Sequence, residues 1–342
     1  MKKQILVTGG AGYIGSHTIK QLGEAGYEIV VYDNLSTGVA SAITYGKLVT
    51  GDLADRPRLQ QVFMQHDFDA VLHFAASISV PDSLIHPLAY YSNNTVNTLN
   101  LLQCCQEFGV HKLIFSSTAA VYGQPEINPI DEDTLPQPLN PYGSSKLMSE
   151  RLIRDYAAVS PLKYIILRYF NVAGAEIGGI LGQSGKASHL IAVTCDAALG
   201  RRPYVGVFGT DFDTPDGTGV RDYIHVDDLA RAHVDALAYL DRGGDSQLLN
   251  CGYGTGYSVH QVIAKVKEIS GVNFTVVEKD RRAGDPACVI AAAERITQIL
   301  GWRPRYDHLD TMIGTALNWE KRKLVAEEER LKLDERVATP SL

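Results

Sequence analysis

The chain has 342 residues, room for about two domains at the usual size of roughly 100 to 200 residues each. Its 45% hydrophobic and 21% charged content is that of an ordinary folded globule, which excludes wholesale disorder, collagen-like repeats and a disulfide miniprotein. With 32 Lys and Arg against 39 Asp and Glu the net charge is −7, so the global cationic footprint that nucleic acid or an anionic membrane requires is missing.

Five scattered cysteines (Cys104, Cys105, Cys195, Cys251, Cys288) form no C-x-x-C pair; buried free thiols in a reducing compartment are expected, and no metal site. Met1-Lys2-Lys3-Gln4 runs straight into an apolar segment without a small-residue cleavage site, and no apolar run approaches the roughly 18 residues of a membrane span. The expected location is cytoplasmic, with no membrane and no nucleic-acid partner.

Short β-branched runs then alternate with helix-length stretches. Gln4–Val7, Glu28–Tyr32, Lys47–Val49, Ala70–Phe74, Lys112–Ser116 and Tyr164–Arg168 are brief apolar runs bounded by turn residues, the pattern of buried strands. Such alternation implies right-handed crossovers and a Rossmann-type, doubly wound parallel sheet. After about residue 170 the rhythm breaks into a Gly-rich loop, a helix expected over Ser188–Leu199, a strand at Val205–Phe208 and a polar loop. Val226–Leu240 is again helical, Gln247–Asn250 reads as a strand, and the Lys/Arg/Glu tail from Asn318 reads as a solvated helix. The expected organisation is an α/β chain with a cofactor domain over 1–170, rejoined by 222–250, and a smaller interleaved lobe from 171–221 and 251–342.

The first strand ends in Thr8-Gly9-Gly10-Ala11-Gly12-Tyr13-Ile14-Gly15, a dinucleotide fingerprint. Glycine is needed there because a side chain would block the turn, the approach of a pyrophosphate to the helix N-terminus, or the packing of helix on strand. Asp33, ending the second strand, can accept hydrogen bonds from an adenosine ribose, and with Asn34 rather than an arginine beside it the preference is NAD over NADP. Asp52, with Leu53 after it, suits either the adenine site or a helix N-cap. Phe74-Ala75-Ala76 offers small residues where backbone approaches a cofactor, with plain packing as an equal reading of Phe74.

Tyr142 and Lys146 stand four apart at the start of a helix, hence on one face. A free phenol titrates near pH 10, so a neighbouring ammonium is expected to favour its phenolate and make Tyr142 an acid/base group. Thr118, at the end of the fifth strand, supplies a hydroxyl to the same substrate oxygen.

With these residues the sequence resembles the extended short-chain dehydrogenase/reductases and, within them, the UDP-glucose (UDP-galactose) 4-epimerases. The likeness spans almost the whole chain: the glycine block through His17, Asp33-Asn34-Leu35, Tyr90-Tyr91-Ser92-Asn93-Asn94, Ser116–Gly123, Pro141–Lys146, Leu167-Arg168-Tyr169-Phe170-Asn171 and Gly217–Val226. Ala119-Ala120 stands where the related 4,6-dehydratases carry Asp-Glu, so an elimination step has no obvious catalyst. The resemblance implies that Asn93 contacts the cofactor, Phe170 lies near the nicotinamide, and Asn171 meets the substrate diphosphate. It also implies that Arg221, Arg282 and Asp285 hold the nucleotide, as a diphosphate needs guanidinium forks, that Tyr223 belongs to that site, and that Val207 and Phe208 line a uracil pocket. Salt bridging is the rival for the arginines, strand-core packing for Val207 and Phe208, and capping for His189, which with Leu190 aligns to a nucleotide-binding loop. Two departures stand out. Ile78 replaces a cofactor-contacting Lys, and Cys288 replaces a bulky Tyr beside the sugar, which leaves room for a 2-acetamido group.

The reaction implied is reversible 4-epimerisation of a UDP-hexose through a 4-keto sugar, in a homodimer. The alternatives are another UDP-sugar (UDP-GlcNAc/GalNAc, UDP-xylose/arabinose or UDP-glucuronate), a non-catalytic NAD-sensing protein, or a net-oxidising dehydrogenase that accumulates NADH.

Overall fold

The computed structural model describes residues 2–185, 189–282 and 284–338. In chain order its elements are β1 (Gln4–Thr8), α1 (Tyr13–Glu24), β2 (Glu28–Asp33), β3 (Lys47–Thr50), α2 (Arg56–Gln65), β4 (Ala70–His73), α3 (Val80–Ile85), α4 (Pro87–Tyr90), a π-helical turn (Tyr91–Val96), α5 (Asn97–Glu107), β5 (Lys112–Thr118), α6 (Pro141–Ala157) and β6 (Lys163–Tyr169). There follow β7 (Asn171–Ala173), α7 (Leu190–Ala198), β8 (Val205–Phe208), β9 (Val220–His225), α8 (Val226–Asp241), β10 (Gln247–Cys251), β11 (Gly256–Ser258), α9 (Val259–Ser270), β12 (Val276–Lys279), β13 (Cys288–Val289), α10 (Glu294–Leu300) and α11 (Leu309–Ala338). Ser188, the expected start of the seventh helix, lies outside the described residues.

Seven strands pair in parallel in the order β10-β6-β5-β4-β1-β2-β3, the doubly wound sheet expected. These strands are near-continuous apolar runs because helices cover both faces. On one face α1 and α8 pack with Ile19, Leu22, Leu229 and Leu237; on the other α2, α5 and α6 contribute Leu59, Leu101 and Ile153. The strand order reverses between β1 and β4, and a doubly wound sheet takes its ligand in the crevice that this reversal opens at the carboxyl ends.

The remaining strands build the smaller lobe. β9 pairs with β11, β13 and β7, while β8 pairs with β12, over a core that includes Ile191, Val207, Tyr223, Val262 and Ile313. Among the described residues no helix is long and apolar enough to cross a membrane, and no cluster of His, Cys, Asp or Glu is arranged to hold a metal.

Candidate active site

The glycines of the β1–α1 turn do separate jobs. Gly9 has φ +72, and a Cβ there would come 2.4 Å from the Ala75 backbone nitrogen, so the turn needs both glycine's left-handed freedom and its lack of bulk. A Cβ on Gly15 would meet the Gly9 carbonyl at 2.4 Å, which makes Gly15 the close contact of helix on turn. Gly12 is different. It is extended, with φ −78, and a Cβ would meet nothing nearer than Gly9 O at 3.3 Å. The chain itself constrains Gly12 far less than Gly9 or Gly15, which leaves room for close approach by an outside group. Gly12 also caps α1 without any side-chain bond, leaving the first N–H groups of the helix for an anion.

Asp33 braces this turn. Its Oδ2 accepts from Ala11 N at 2.9 Å and its Oδ1 from Leu35 N at 2.8 Å. Asn34 donates to Asp52 at 2.7 Å, and Asp52 also accepts from Ala54 N. The N-cap of α2 is Asp55, accepting from Arg58 N, so capping does not account for Asp52. Leu53 is buried in the core under α2. Ile14 packs partly into the opposite core with Phe74, whose ring also lies 4.7 Å from that of His233. Ala75 N donates to Thr8 O, and Ala76 is half-buried beside it. Ile78 is 66% exposed.

The π-helical turn projects Asn93 and Asn94 toward the strand ends, one of the functional uses of such an extra residue. Asn93 donates to Ser77 Oγ at 3.0 Å, while Asn94 bonds both the backbone of Ser77 and the hydroxyl of Ser145. Asn94 thus ties the segment after β4 to α6.

Asn140 caps α6, accepting from Gly143 N, and Pro141 occupies its first turn, where a proline's fixed φ suits the helix. That start fixes Tyr142 and Lys146 on one buried face. Tyr142 is 7% and Lys146 2% exposed. Lys146 donates to Ser116 O at 2.8 Å and lies over the Phe115 ring, and Tyr90 makes an edge contact with Tyr142. Burial pushes Tyr142 up to about 12, with a hydrogen bond from Thr118 pulling the other way; burial pushes Lys146 down to about 7, opposed by Glu150. Burial of Tyr142 therefore works against the phenolate that the spacing with Lys146 suggests.

In the smaller lobe the nucleotide candidates divide by strand face. Arg221 forms an ion pair with Asp285 and donates to Val220 O at 2.8 Å. Arg282 lies over the Phe208 ring at 3.6 Å, whereas Arg281 turns to Asp211, which separates the two neighbouring arginines. Val207 is wholly buried in the lobe core, and Phe208 points to the other side of the strand; the two side chains do not line one pocket, and the core reading applies to Val207. Tyr223 is buried near Arg221, its phenol pushed up to about 12 by burial. Asn171 sits opposite Tyr223 in the β7–β9 register, and Phe170 packs among Ala119, Val121 and Tyr122. His189 caps α7 and bonds Gln183 at 2.6 Å; Leu190 flanks the core. Cys288 is half-buried on β13, opposite Val220.

Two further features carry no linear signature. Asp222 is fully buried yet accepts from the backbone of Tyr253, Gly254 and Ala291, pinning β9 to the loop after β10. Glu150 and Arg168 form a buried ion pair beside the Tyr142–Lys146 face. Nothing in the sequence pairs these charges with their partners.

A family model described as the NAD dependent epimerase/dehydratase family matches residues 5–252. The chain is 53% identical over 320 residues to the UDP-glucose 4-epimerase of Azospirillum brasilense, covering 93% of this chain and 92% of that one. Among solved structures it is similar to a UDP-glucose 4-epimerase from Brucella ovis in complex with NAD, with TM-score 0.90 and 44% identity over 92% of this chain and 97% of that one. It is likewise similar to the Bifidobacterium longum enzyme in complex with NAD+ and UDP, with TM-score 0.89 and 38% identity over 94% and 98%.

Proposed function

The chain belongs to the NAD dependent epimerase/dehydratase family, and from that premise we propose that it interconverts UDP-glucose and UDP-galactose by inverting C4 of the hexose, with NAD as its cofactor. The observation that carries this reading is the meeting of Thr118, Tyr142 and Lys146 at the carboxyl end of β5, in the same sheet whose β1 end bears the open glycine, Gly12. NAD fits that cradle: Gly12 and Tyr13 at the α1 terminus face the pyrophosphate, Asp33 the adenosine ribose, and Asn93 and Lys146 the nicotinamide end. When bound, NAD supplies the acceptor for the C4 hydride and its return, so no net oxidant is needed.

The chain's own residues move the proton and hold the sugar. Tyr142 takes the proton of the 4-hydroxyl as the carbonyl forms and gives it back as the alcohol is rebuilt. A phenol whose burial raises its pKa to about 12 is a strong base once ionised, suited to an alcohol proton. Thr118, close enough to Tyr142 to lower its pKa, donates to the same sugar oxygen. Lys146 favours the phenolate through its charge. Arg221 and Arg282 grip the diphosphate and nucleotide from the smaller lobe with Asn171 and Asp285, Phe208 flanks the base, and the loosely held hexose swings about its diphosphate linkage to present its other face. Ala119 and Ala120 offer no acid or base, which argues against dehydration.

Half-buried Cys288 supports acceptance of N-acetylated hexoses beside the plain ones. A homodimer is supported by the apolar side chains left exposed along Ile78, Leu84, Ile85, Leu88, Val96 and Leu99, a stretch too apolar for bare solvent. A cytoplasmic setting suits five cysteines that are all unpaired. The test is to incubate the purified protein with UDP-galactose without added NAD. C4 inversion with no NADH in solution supports the reading; NADH accumulating in step with product means a dehydrogenase, and binding without turnover means an NAD-sensing protein.

A further inference from the structure

We propose that the buried Glu150–Arg168 pair is a positioning device for the charge on Lys146: Glu150, one helical turn along α6 on the same buried face, supplies a carboxylate that favours the ammonium, and Arg168 limits how strongly that carboxylate acts. The inference rests on the epimerase reading above.

The geometry singles out this pair. Glu150 and Arg168 have side chains only 2% exposed, and the guanidinium meets the carboxylate with two bonds, Nε to Oε1 at 3.0 Å and Nη2 to Oε2 at 2.6 Å. Ser117 donates its hydroxyl to the same carboxylate. Ser117 lies between Ser116, whose carbonyl accepts from Lys146, and Thr118, whose hydroxyl acts on Tyr142. The pair thus touches both elements that hold the acid/base groups, α6 through Glu150 and β5 through Ser117. Arg168 comes from β6, and its far side lies over the Tyr122 ring at 4.8 Å.

A purely structural brace is a weak explanation, since a buried ion pair costs desolvation that well-packed apolar residues avoid. The surroundings of Lys146 say what the pair does instead. His73 on β4 is pushed down to about 3 by burial and by Lys146, and His233 on α8, bonded to the Ser116 hydroxyl, is pushed down to about 4 by burial. Tyr142 on α6, Tyr90 beside it and Tyr169 on β6 are all pushed up by burial. At neutral pH these five groups are uncharged, which leaves Glu150 as the charge that acts on Lys146, with Arg168 bound to its carboxylate. Burial drives Lys146 toward neutrality and Glu150 opposes it.

The two partners therefore have opposite effects on one titration. In Glu150→Gln the opposing carboxylate is gone and Arg168 is left as a second buried cation, so Lys146 loses its proton at lower pH. In Arg168→Met the carboxylate acts unshielded, and Lys146 keeps its proton to higher pH. We expect the alkaline limb of kcat to move down by about one to two pH units in the first variant and up in the second, with KM for the UDP-sugar within about twofold. Glu150→Gln/Arg168→Met should return the limb close to wild type, and Arg168→Lys, which keeps the charge, should leave it there. The titration of Lys146 followed by NMR on lysine labelled at Cε gives the same order directly and reads a variant that has lost turnover. Shifts in the same direction in both single variants, or no shift in either, overturn the proposal and leave the pair a structural brace. If wild type inverts no sugar, the epimerase reading fails, while the NMR order still decides the pair's effect on Lys146.

Discussion

The Tyr13 ring stacks on His189, with centroids 6.5 Å apart and planes 14° from parallel. Tyr13 opens α1 directly after the cofactor turn, and His189 caps the first helix of the smaller lobe; the Tyr13 hydroxyl also donates to Gly174 O. One aromatic contact thus joins the glycine turn to the first helix of the smaller lobe. His189→Ala removes both stack and cap, the cap alone being worth about 1 kcal/mol. The expected result is a melting temperature lower by a few degrees together with a raised KM for the UDP-sugar. An unchanged KM beside the lower melting temperature would reduce His189 to a helix cap.

Gly12 and Gly15 predict opposite phenotypes. Alanine at Gly15 drives its Cβ to 2.4 Å from a backbone oxygen, whereas alanine at Gly12 makes a tight contact at 3.3 Å that a few tenths of an ångström of give relieves. Gly12→Ala should therefore fold like wild type but carry at most about a tenth of the co-purifying NAD, because the methyl stands where the pyrophosphate approaches. Gly15→Ala should fail in the fold itself. Equal NAD content in Gly12→Ala and wild type, read from the nucleotide released on denaturation, would count against this cofactor cradle.

Much of this was legible in the sequence because the signals are local. The apolar runs mark six strands of the sheet, and Tyr142 and Lys146 share a face by spacing alone. Where the structure adds something, distance along the chain explains it. Arg221 and Asp285 are 64 residues apart, so their pairing is invisible until β9 and the 284–289 segment meet. Tyr142 four residues from an ammonium suggested a favoured phenolate, whereas the burial that raises its pKa comes from segments distant in the chain and has no local signature. The opposite orientation of Val207 and Phe208 was readable from the two-residue period of a strand. Arg168 falls in a run that reads as a buried strand, but nothing local pairs it with Glu150, 18 residues away.

Acid should weaken the fold before the carboxylates take over. His189, His225 and His233 are each pushed down to about 4, and His73 to about 3, by burial. Their unfolded-state value is near 6.5, so below it the unfolded chain binds more protons and stability is lost as pH falls. Asp222, pushed up to about 6 by burial, acts in the opposite sense but only as pH reaches 6 and below. Between pH 7 and 6 the four rings dominate, with a net loss of about 2 kcal/mol at roughly 1.4 kcal/mol per pH unit. Urea unfolding at the two pH values measures it, and a protein equally stable at both would refute the neutral-histidine picture.

Asp285 has two possible effects on Arg221, and one variant separates them. If Asp285 binds the nucleotide ribose, Asp285→Ala raises KM for the UDP-sugar by about tenfold with kcat nearly unchanged, the mark of lost uniform binding. If it only occupies Arg221 in the resting protein, removing it frees the guanidinium and KM falls. The expected outcome is the rise, measured by initial rates across UDP-glucose concentrations.

Cys288 lies on β13 beside β9, close enough that the Arg221 charge lowers its thiol pKa against the larger upward effect of burial. On the proposed reading a residue at that place borders the sugar beside Arg221, and a thiol fills much less of that space than a phenol would. Cys288→Tyr should cut turnover of UDP-N-acetylglucosamine by at least about tenfold while UDP-glucose stays within about threefold, since steric exclusion of one substituent is worth about 1–3 kcal/mol. The measurement is the ratio of kcat/KM for the two sugars in both proteins. A ratio unmoved by the tyrosine means that the acetamido group does not pass Cys288, and sugar choice is then made elsewhere in the site.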